Sequence, residues 1–381
     1  MNYITEEVTV TAPVQSKMKS ELSMKSNPVA EHLSQCYGLN DANISLKPIG
    51  NGHINTTMLL KADDQALVVQ KLNTDVFPAP EKLVENARLI EQHLTKKNNN
   101  GEYDLDIIRH VPTIENDFLV EYDRGVWRAL EFIGGSYSED VVASISQAQT
   151  AANAFGQFAL ALQDFQAEQL HHVIPNFHNL EMRFAAFKKV LEQNPLNRTA
   201  LCQDDVDFCL AQQNLVAELK ALDGTIPLRP CHNDTKINNM LFCTKSDSAK
   251  AVIDLDTCMP GYWLFDFGDM VRTFCSPEQE DSTNLNNVRV REEIFAAIVK
   301  GYVEPLQNVI TDAEKQSFWL GTKVMTFMIG LRFLTDFIDG DNYFATKHAN
   351  HNLERARNQF ALYRDILDKE HTLKAILEIN N

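Results

Sequence analysis

Residues 231–242 read CHNDTKINNMLF. Polar side chains dominate the first nine positions and the apolar Met240, Leu241 and Phe242 follow at once, so the segment reads as a loop feeding a strand. Counted from His232, the order is H-x-D-x-K-x-x-N, with Asp234, Lys236 and Asn239 at the informative places. Each residue type answers one demand of moving a phosphoryl group onto a hydroxyl. A carboxylate must orient the attacking hydroxyl and accept its proton, an amide oxygen can ligate a magnesium ion, and an ammonium can reach the phosphoryl group in flight. Asp234, Asn239 and Lys236 are the candidates for those roles. A bare H-x-D reads more readily as a polar loop with an ordinary helix cap at Asp234. The complete set ahead of an apolar strand favours chemistry.

Downstream, residues 251–257 read AVIDLDT. Apolar residues interleave with two acids, which predicts a strand with Asp254 and Asp256 on one face. A single hairpin, turning through TKSDSA (244–249), separates this stretch from the loop, so Asp234 and Asp254 can converge on one metal. A carboxylate at a strand end suits Mg²⁺; Asp256 reads as well as a plain turn residue. Residues 266–268 spell Asp-Phe-Gly inside YWLFDFGDMVRTF, which reads as a helix start. Asp266 is expected to cap that helix and brace the loop, and Asp269 to be a further brace or to face the acceptor.

Toward the N-terminus, PIGNGHINTT (48–57) offers G-x-G-x-x-N, with Gly50, Gly52 and Asn55. Alone it is a β-turn. Ahead of ALVVQKL (66–72) it predicts a Gly-rich hairpin over the phosphates of a nucleotide, with Lys71 on the third strand holding the α- and β-phosphates. Apolar positions at helical spacing over 80–96 predict a helix, from which Glu85 would pair with Lys71. Glu91 is the rival, and a solvated helix face is the simpler alternative for both. DFLVEY and VWRALEFI are two further strands, ended by Gly134 and Gly135. The backbone of Glu131 to Ile133 is the expected dock for an adenine ring.

Beyond residue 139 the pattern turns helical, with amphipathic segments at 139–170, 178–193, 204–222, 288–305, 312–338 and 347–378. The expected organisation is an arm at 1–28, a small nucleotide-binding lobe at 29–134 and a larger lobe at 135–381. The chain has 381 residues, 44% hydrophobic and 23% charged, which suits two globular lobes. A net charge of -17 repels nucleic acid and anionic lipid. The seven cysteines form no C-x-x-C pair and read as reduced thiols of a cytoplasmic protein. The first residues carry no apolar leader, and no apolar run approaches the roughly 20 residues that span a bilayer. There is no GxxxxGK[ST], HExxH or GxSxG. A metal role for His171 and His172 is disfavoured against a solvated helix end.

The catalytic-loop spacing is that of protein kinases and their small-molecule relatives. In order, PIGNGHINTT, VVQKLN, HNDTKINN and IDLDTCMPGYWLFDFGDMVR resemble the aminoglycoside phosphotransferase and choline kinase superfamily. The HNDTK…N wording, the IDLDT…PG…DFGD…R block and LRFLTDFIDGDNYF (331–344) resemble its N-acetylhexosamine 1-kinase branch, over about residues 40 to 365. The resemblance implies an α+β, bilobal protein-kinase-like fold: a small β-sheet lobe with one helix, then a mainly helical lobe carrying a catalytic hairpin. It implies ATP and Mg²⁺ as cofactors and a sugar as partner, phosphorylated on its anomeric hydroxyl. Asp234 matches the family's base, and Asn239 and Asp254 its magnesium ligands. Arg332 matches an arginine near the sugar, and Asp336 lies one helical turn on. Met328 stands where an acid is expected, and Thr273 where a bulkier group is common, so the preferred hexosamine stays open. A monomer and a homodimer are both compatible with the sequence. An aminoglycoside, choline or homoserine kinase, or a catalytically inactive kinase fold, are the alternatives.

Overall fold

A computed structural model of the chain describes residues 27–39, 43–50 and 54–379. The expected arm therefore lies outside the described residues except for its last two, and Gly52 lies outside them too. Asn27 starts α1 (Pro28–Cys36): its side chain accepts the N–H groups of Val29 and Ala30, and Pro28 fills the first turn. Then come β1 (Ile44–Pro48), β2 (Thr56–Ala62), β3 (Gln65–Leu72) and α2 (Pro80–Asn99). The short β4 (Asp106–Ile107), β5 (His110–Val111), β6 (Val120–Tyr122) and the longer β7 (Gly125–Glu131) complete the first part. The main sheet runs β1-β2-β3-β7-β5, with β6 also on β7. Its β3–β7 register pairs Gln70 with Arg128 and Lys71 with Trp127.

One face of this sheet lies under α1, where Leu33, Leu60, Val69, Trp127 and Ala129 form a buried cluster. Side chains alternate across a strand, so Leu67, Val69 and Lys71 share the α1 side. Val68, Gln70 and Leu72 face the other way, toward the rest of the molecule.

After β7 come β8 (Ser136–Tyr137), α3 (Ile145–Ala161), α4 (Leu180–Gln193), α5 (Gln203–Ala211) and α6 (Asn214–Lys220). β9 (Arg229–Cys231), β10 (Met240–Cys243), β11 (Ala249–Val252) and β12 (Met259–Gly261) follow, then α7 (Trp263–Phe274), α8 (Glu292–Leu306), α9 (Asp312–Asp339), α10 (His351–Asp368) and α11 (Glu370–Ile379). β10 and β11 form the expected hairpin, flanked by β8 and by β4 in a four-stranded sheet, while β9 pairs with β12. α9 is framed by a Thr311/Glu314 capping box and a left-handed Gly340 at φ 111°. α7 lies against α9 so closely that a Cβ on Gly268 would sit 2.2 Å from the Gly321 carbonyl oxygen.

Several boundaries differ from expectation. The helix expected at 139–170 starts only after Ser144, whose hydroxyl caps Gln147 N–H, and ends at Ala161. The 204–222 and 347–378 segments each break into two helices. The strand expected over 251–257 stops at Val252, because Asp254 turns left-handed at φ 62° and a short 3₁₀ turn follows. Asp254 and Asp256 therefore share no strand face. Asp266 lies inside the first turn of α7 rather than at its cap, which is Tyr262.

Candidate active site

β9, paired with β12, leads into the loop at 232–239 and β10, paired with β11, leads out of it, and nearly every polar group of the loop is tied down. Asp266 reaches up from α7 and accepts the N–H groups of His232 (3.0 Å) and Asn233 (2.6 Å), while its own carbonyl accepts the Thr235 hydroxyl. Asn233 sits at φ 63°, a conformation that asparagine tolerates. Its amide donates to the carbonyls of Cys231 and Thr257. His232 is fully buried, edge-on to Phe155 and Phe158, with Nε2 2.9 Å from the Ile253 carbonyl oxygen. The Ile253 N–H donates in turn to the Asn239 carbonyl at 2.9 Å. Residue 253 is thus fixed to both ends of the loop, and the next residue, Asp254, is delivered to it.

Asp234 lies 3.1 Å from the Lys236 ammonium. The Asn239 amide donates to the Asp234 carbonyl (2.8 Å) and to its Oδ2 (3.0 Å). Burial pushes the Asp234 carboxyl up, but Lys236, His232 and Arg272 together hold it below the usual carboxylate range. It is charged and able to take a proton. For Lys236 burial opposes the charge, and Asp234 and Glu280 more than offset it, so its ammonium is held above its ordinary value. For Asp254 the opposing charges of Arg128 and Lys236 are outweighed. Its position between the lobes, then Asp256, then Asp234 push its carboxyl up to about 7, although part of it meets solvent.

That surplus of negative charge is the test of whether a hard cation fits. Asp254 offers carboxylate oxygens beside two further acids, and Asn239, with its N–H groups turned to Asp234, keeps Oδ1 as its ligating end. Among the described residues no three Asp, Glu, His or Cys side chains converge as a cage. Two oxygen donors without a cage suit Mg²⁺, which keeps water and substrate phosphates among its ligands.

A cavity of about 470 Å³ opens beside these groups, between the main sheet and the β10–β11 hairpin. Gly50, Val68, Leu130, Glu131, Ile133, Leu241 and Asp254 are part of its lining. Glu131 is at the sheet end of the connection, with its N–H on the Arg109 carbonyl, and the Ile133 carbonyl accepts the Ser136 hydroxyl at 2.6 Å.

Several expected residues are placed elsewhere. Lys71 does not line the cavity: it faces the α1 side and packs on Gly125, while Gln70 faces inward. Glu85 is not near Lys71; its carboxylate is exposed and 2.9 Å from His171 Nε2. Glu91 is the inward acid of α2 and accepts the His110 N–H at 3.1 Å. Asn55 does not arch over a phosphate site but bridges Asp256 (2.7 Å) and the Asn73 N–H (2.9 Å). Asp269 is buried in an ion pair with Arg272 at 2.8 Å, and Arg272 also pairs with Glu280. Asp336 does not face an acceptor. Its Oδ1 accepts the N–H groups of Asn342 and Tyr343, and its Oδ2 accepts those of Phe344 and the Asn352 amide. Met328 is buried in the helical core, and Thr273 borders a polar cavity of about 490 Å³ with Lys236 and Arg272.

Arg332 is close enough to Asp234 to feel its charge. Its guanidinium lies 5.3–5.5 Å from the ring centres of Phe177, Tyr343 and Phe344. Burial and the charge of Arg332 push His178 down to about 3, so its ring is neutral beside the Asn233 carbonyl, 3.2 Å away. Three residues were not singled out by sequence reasoning. Arg128 in β7 spans to Asp256 at 2.6 Å and to Gln70; His110 lines the cavity, and His178 lies against the loop at Asn233. Only the Gln70–Lys71 adjacency in β3 held a signal, since one of the two had to face inward.

Comparison with solved structures bears on the fold. An aminoglycoside phosphotransferase from Alicyclobacillus acidocaldarius subsp. acidocaldarius DSM 446 is 14% identical, with a TM-score of 0.56 over 95% of this chain and 99% of its own. A microcompartment-associated aminopropanol kinase is 16% identical, with a TM-score of 0.56 over 90% and 97%. The ADP-bound aminoglycoside phosphotransferase APH(2'')-Ib is 14% identical, with a TM-score of 0.52 over 88% and 98%. At such identities the likeness speaks for the fold, which is the α+β, bilobal, kinase-like one. Residues 45–299 match the family described as the phosphotransferase enzyme family, APH. That match spans more than half of the sequence, and the chain belongs to the phosphotransferase enzyme family.

Proposed function

We propose that the chain is an ATP- and Mg²⁺-dependent small-molecule kinase that phosphorylates the anomeric hydroxyl of an N-acetylhexosamine. The observation that carries the kinase reading is the coupling of Asp234, Asn239 and Asp254 through residue 253. In this reading residues 29–134 form the nucleotide lobe and 135–381 the catalytic lobe. Adenine lies in the 470 Å³ cavity against residues 131–133, with Gly50 at its other edge. Asn239 and Asp254 would hold Mg²⁺, which when bound neutralises charge on the phosphates. Asp234 orients the sugar hydroxyl toward the γ-phosphate and accepts its proton. Lys236 balances charge on the phosphoryl group in transfer, and Arg332 fixes the sugar. Most of the acceleration comes from positioning and electrostatics.

The acceptor assignment rests on the sequence resemblance and on one structural point. Cationic acceptors such as choline are held on aromatic faces, and the three rings on this side already surround the Arg332 guanidinium. A neutral, hydroxyl-rich acceptor fits better. The seven cysteines are unpaired, in keeping with a reducing compartment, and no described helix is long and apolar enough to cross a membrane.

The test is ATP consumption across free hexoses, N-acetylhexosamines, aminoglycosides and choline, with phosphorus NMR to locate the product phosphate. A 1-phosphate of an N-acetylhexosamine is the expected product. Turnover of an amino alcohol alone would reject the sugar assignment, and absence of Mg-dependent turnover with every acceptor would favour an inactive kinase fold.

A further inference from the structure

A triphosphate needs positive charge from the lobe that covers it, and β3 does not supply it here. Lys71 faces α1, and the inward side chain at that level is the neutral Gln70. Among the described lining residues of the nucleotide cavity, the permanent cation is Arg128, on the neighbouring strand β7. The other basic group there, His110, is kept neutral chiefly by burial. Acids are abundant by contrast: Glu131, Asp140, Asp254 and Asp256.

Arg128 is tied through Nε and Nη2 and left unpartnered at Nη1. Its Nε and Nη2 donate to Gln70 Oε1 at 2.9 and 2.6 Å, across the β3–β7 register. Nη2 also lies 2.6 Å from Asp256 Oδ1, while Asp256 Oδ2 accepts the Asn55 amide. Nη1 is different: it is buried and has no hydrogen-bond partner. A buried guanidinium N–H without an acceptor is costly in a protein interior. The planar fork of arginine matches phosphate oxygens better than any other side chain.

We infer that Arg128, oriented by Gln70 and Asp256, is the phosphate-holding cation of the N-terminal lobe, with Nη1 as the donor to the nucleotide's phosphates. The charge that a lysine on β3 was expected to bring thus comes from one strand over. The inference rests on the nucleotide-site reading above and deepens it. Asp256 then has a defined role: it aims the guanidinium and leaves the metal to Asp254.

The test is binding of MgADP, the magnesium complex of a non-hydrolysable ATP analogue, and adenosine, followed by calorimetry or competition. Arg128→Met should weaken both phosphate-bearing ligands at least about tenfold and leave adenosine within about twofold. The substitution strands the Asp256 carboxylate, so Arg128→Met/Asp256→Asn, which removes that charge, carries the test if the single variant fails to fold. Lys71→Met should bind all three ligands like the wild type. Folded Arg128 variants that keep full MgADP affinity, or that lose adenosine as severely as MgADP, would overturn the inference while leaving the kinase reading intact. A wild-type chain that binds neither MgADP nor the ATP analogue would overturn both.

Discussion

At the residue scale the decisive contrast is between carboxylates of similar sequence and different surroundings. Asp234 is kept charged by Lys236, whereas Asp254 is pushed up to about 7 by its position and its acidic neighbours. The first suits a base, the second a ligand for a cation that restores its charge. Asp234→Asn keeps the shape and removes the acceptor of the proton. Turnover should fall by about 10²- to 10⁴-fold while the affinity for MgADP stays within about twofold; steady-state kinetics and calorimetry check both numbers. Nucleotide affinity lost together with turnover in a folded variant would remove Asp234 from that role. Asp336 is the opposite case. It is buried, and four donors saturate it, three of them the consecutive backbone N–H groups of 342–344. Asp336→Ala should therefore destabilise the protein by about 3 kcal/mol or more, since each stranded buried donor costs about 1–3 kcal/mol. Because that turn carries Tyr343 and Phe344 against Arg332, the KM for the acceptor should rise before that for ATP. Denaturant titration and a two-substrate kinetic matrix measure the two effects.

At the scale of elements, α7 is the strut on which the 232–239 loop rests. Its inner face is set by its closeness to α9, where glycine meets glycine: a Cβ at Gly321 would lie 2.2 Å from the Leu264 carbonyl oxygen. Gly268→Ala should cost about 1–3 kcal/mol by forcing the two helices apart. It should also slow turnover, because Asp266 rides on the same helix turn as Gly268. A thermal melt with a parallel activity assay would show both effects, and an unchanged melting temperature would mean that the helices yield freely. Asp266 itself gives α7 a pH signature. Burial drives its carboxyl up to about 7, only partly countered by the N–H groups of Asn233 and His232. A carboxyl whose folded pKa lies above its unfolded one holds its proton longer in the native state. Its contribution to stability is full at low pH and is lost as pH rises toward 7. The stability of the wild type relative to Asp266→Asn should therefore fall between pH 4 and 7, by about 1.4 kcal/mol for each pH unit crossed, and level off above. A difference that stays flat over this range would mean that Asp266 is ionised throughout.

At the scale of the whole molecule, two lobes meet over one cavity and are joined there by Asp256, which holds Asn55 from one side and Arg128 from the other. β4 adds a second seam, pairing in parallel with β11 of the β10–β11 hairpin. A ligand bound between the lobes stabilises the folded state by mass action, by about 2.7 kcal/mol at one hundred times its Kd. MgADP should raise the melting temperature more than ADP with EDTA does, and Asp254→Ala should erase that difference. A magnesium effect that survives Asp254→Ala would place the ion elsewhere.

The sequence alone determined that the loop residues and the acid one hairpin later come together, because H-x-D-x-K-x-x-N and that acid are local, and short connections force such neighbours together in any compact fold. It also determined the change from strands to helices after Gly135, which periodicity records directly. It did not determine which of Gln70 and Lys71 looks into the cavity, since alternation fixes only that they look opposite ways. The packing of α1 on one sheet face decided it. Nor did it separate Asp254 from Asp256, whose common face vanished once residue 254 turned left-handed at φ 62°. The assignment of Asp336 to a loop brace likewise depended on where residues 342–344 fold back. Facing and saturation depend on what covers each side chain from distant parts of the chain, and that is settled only when the tertiary structure closes.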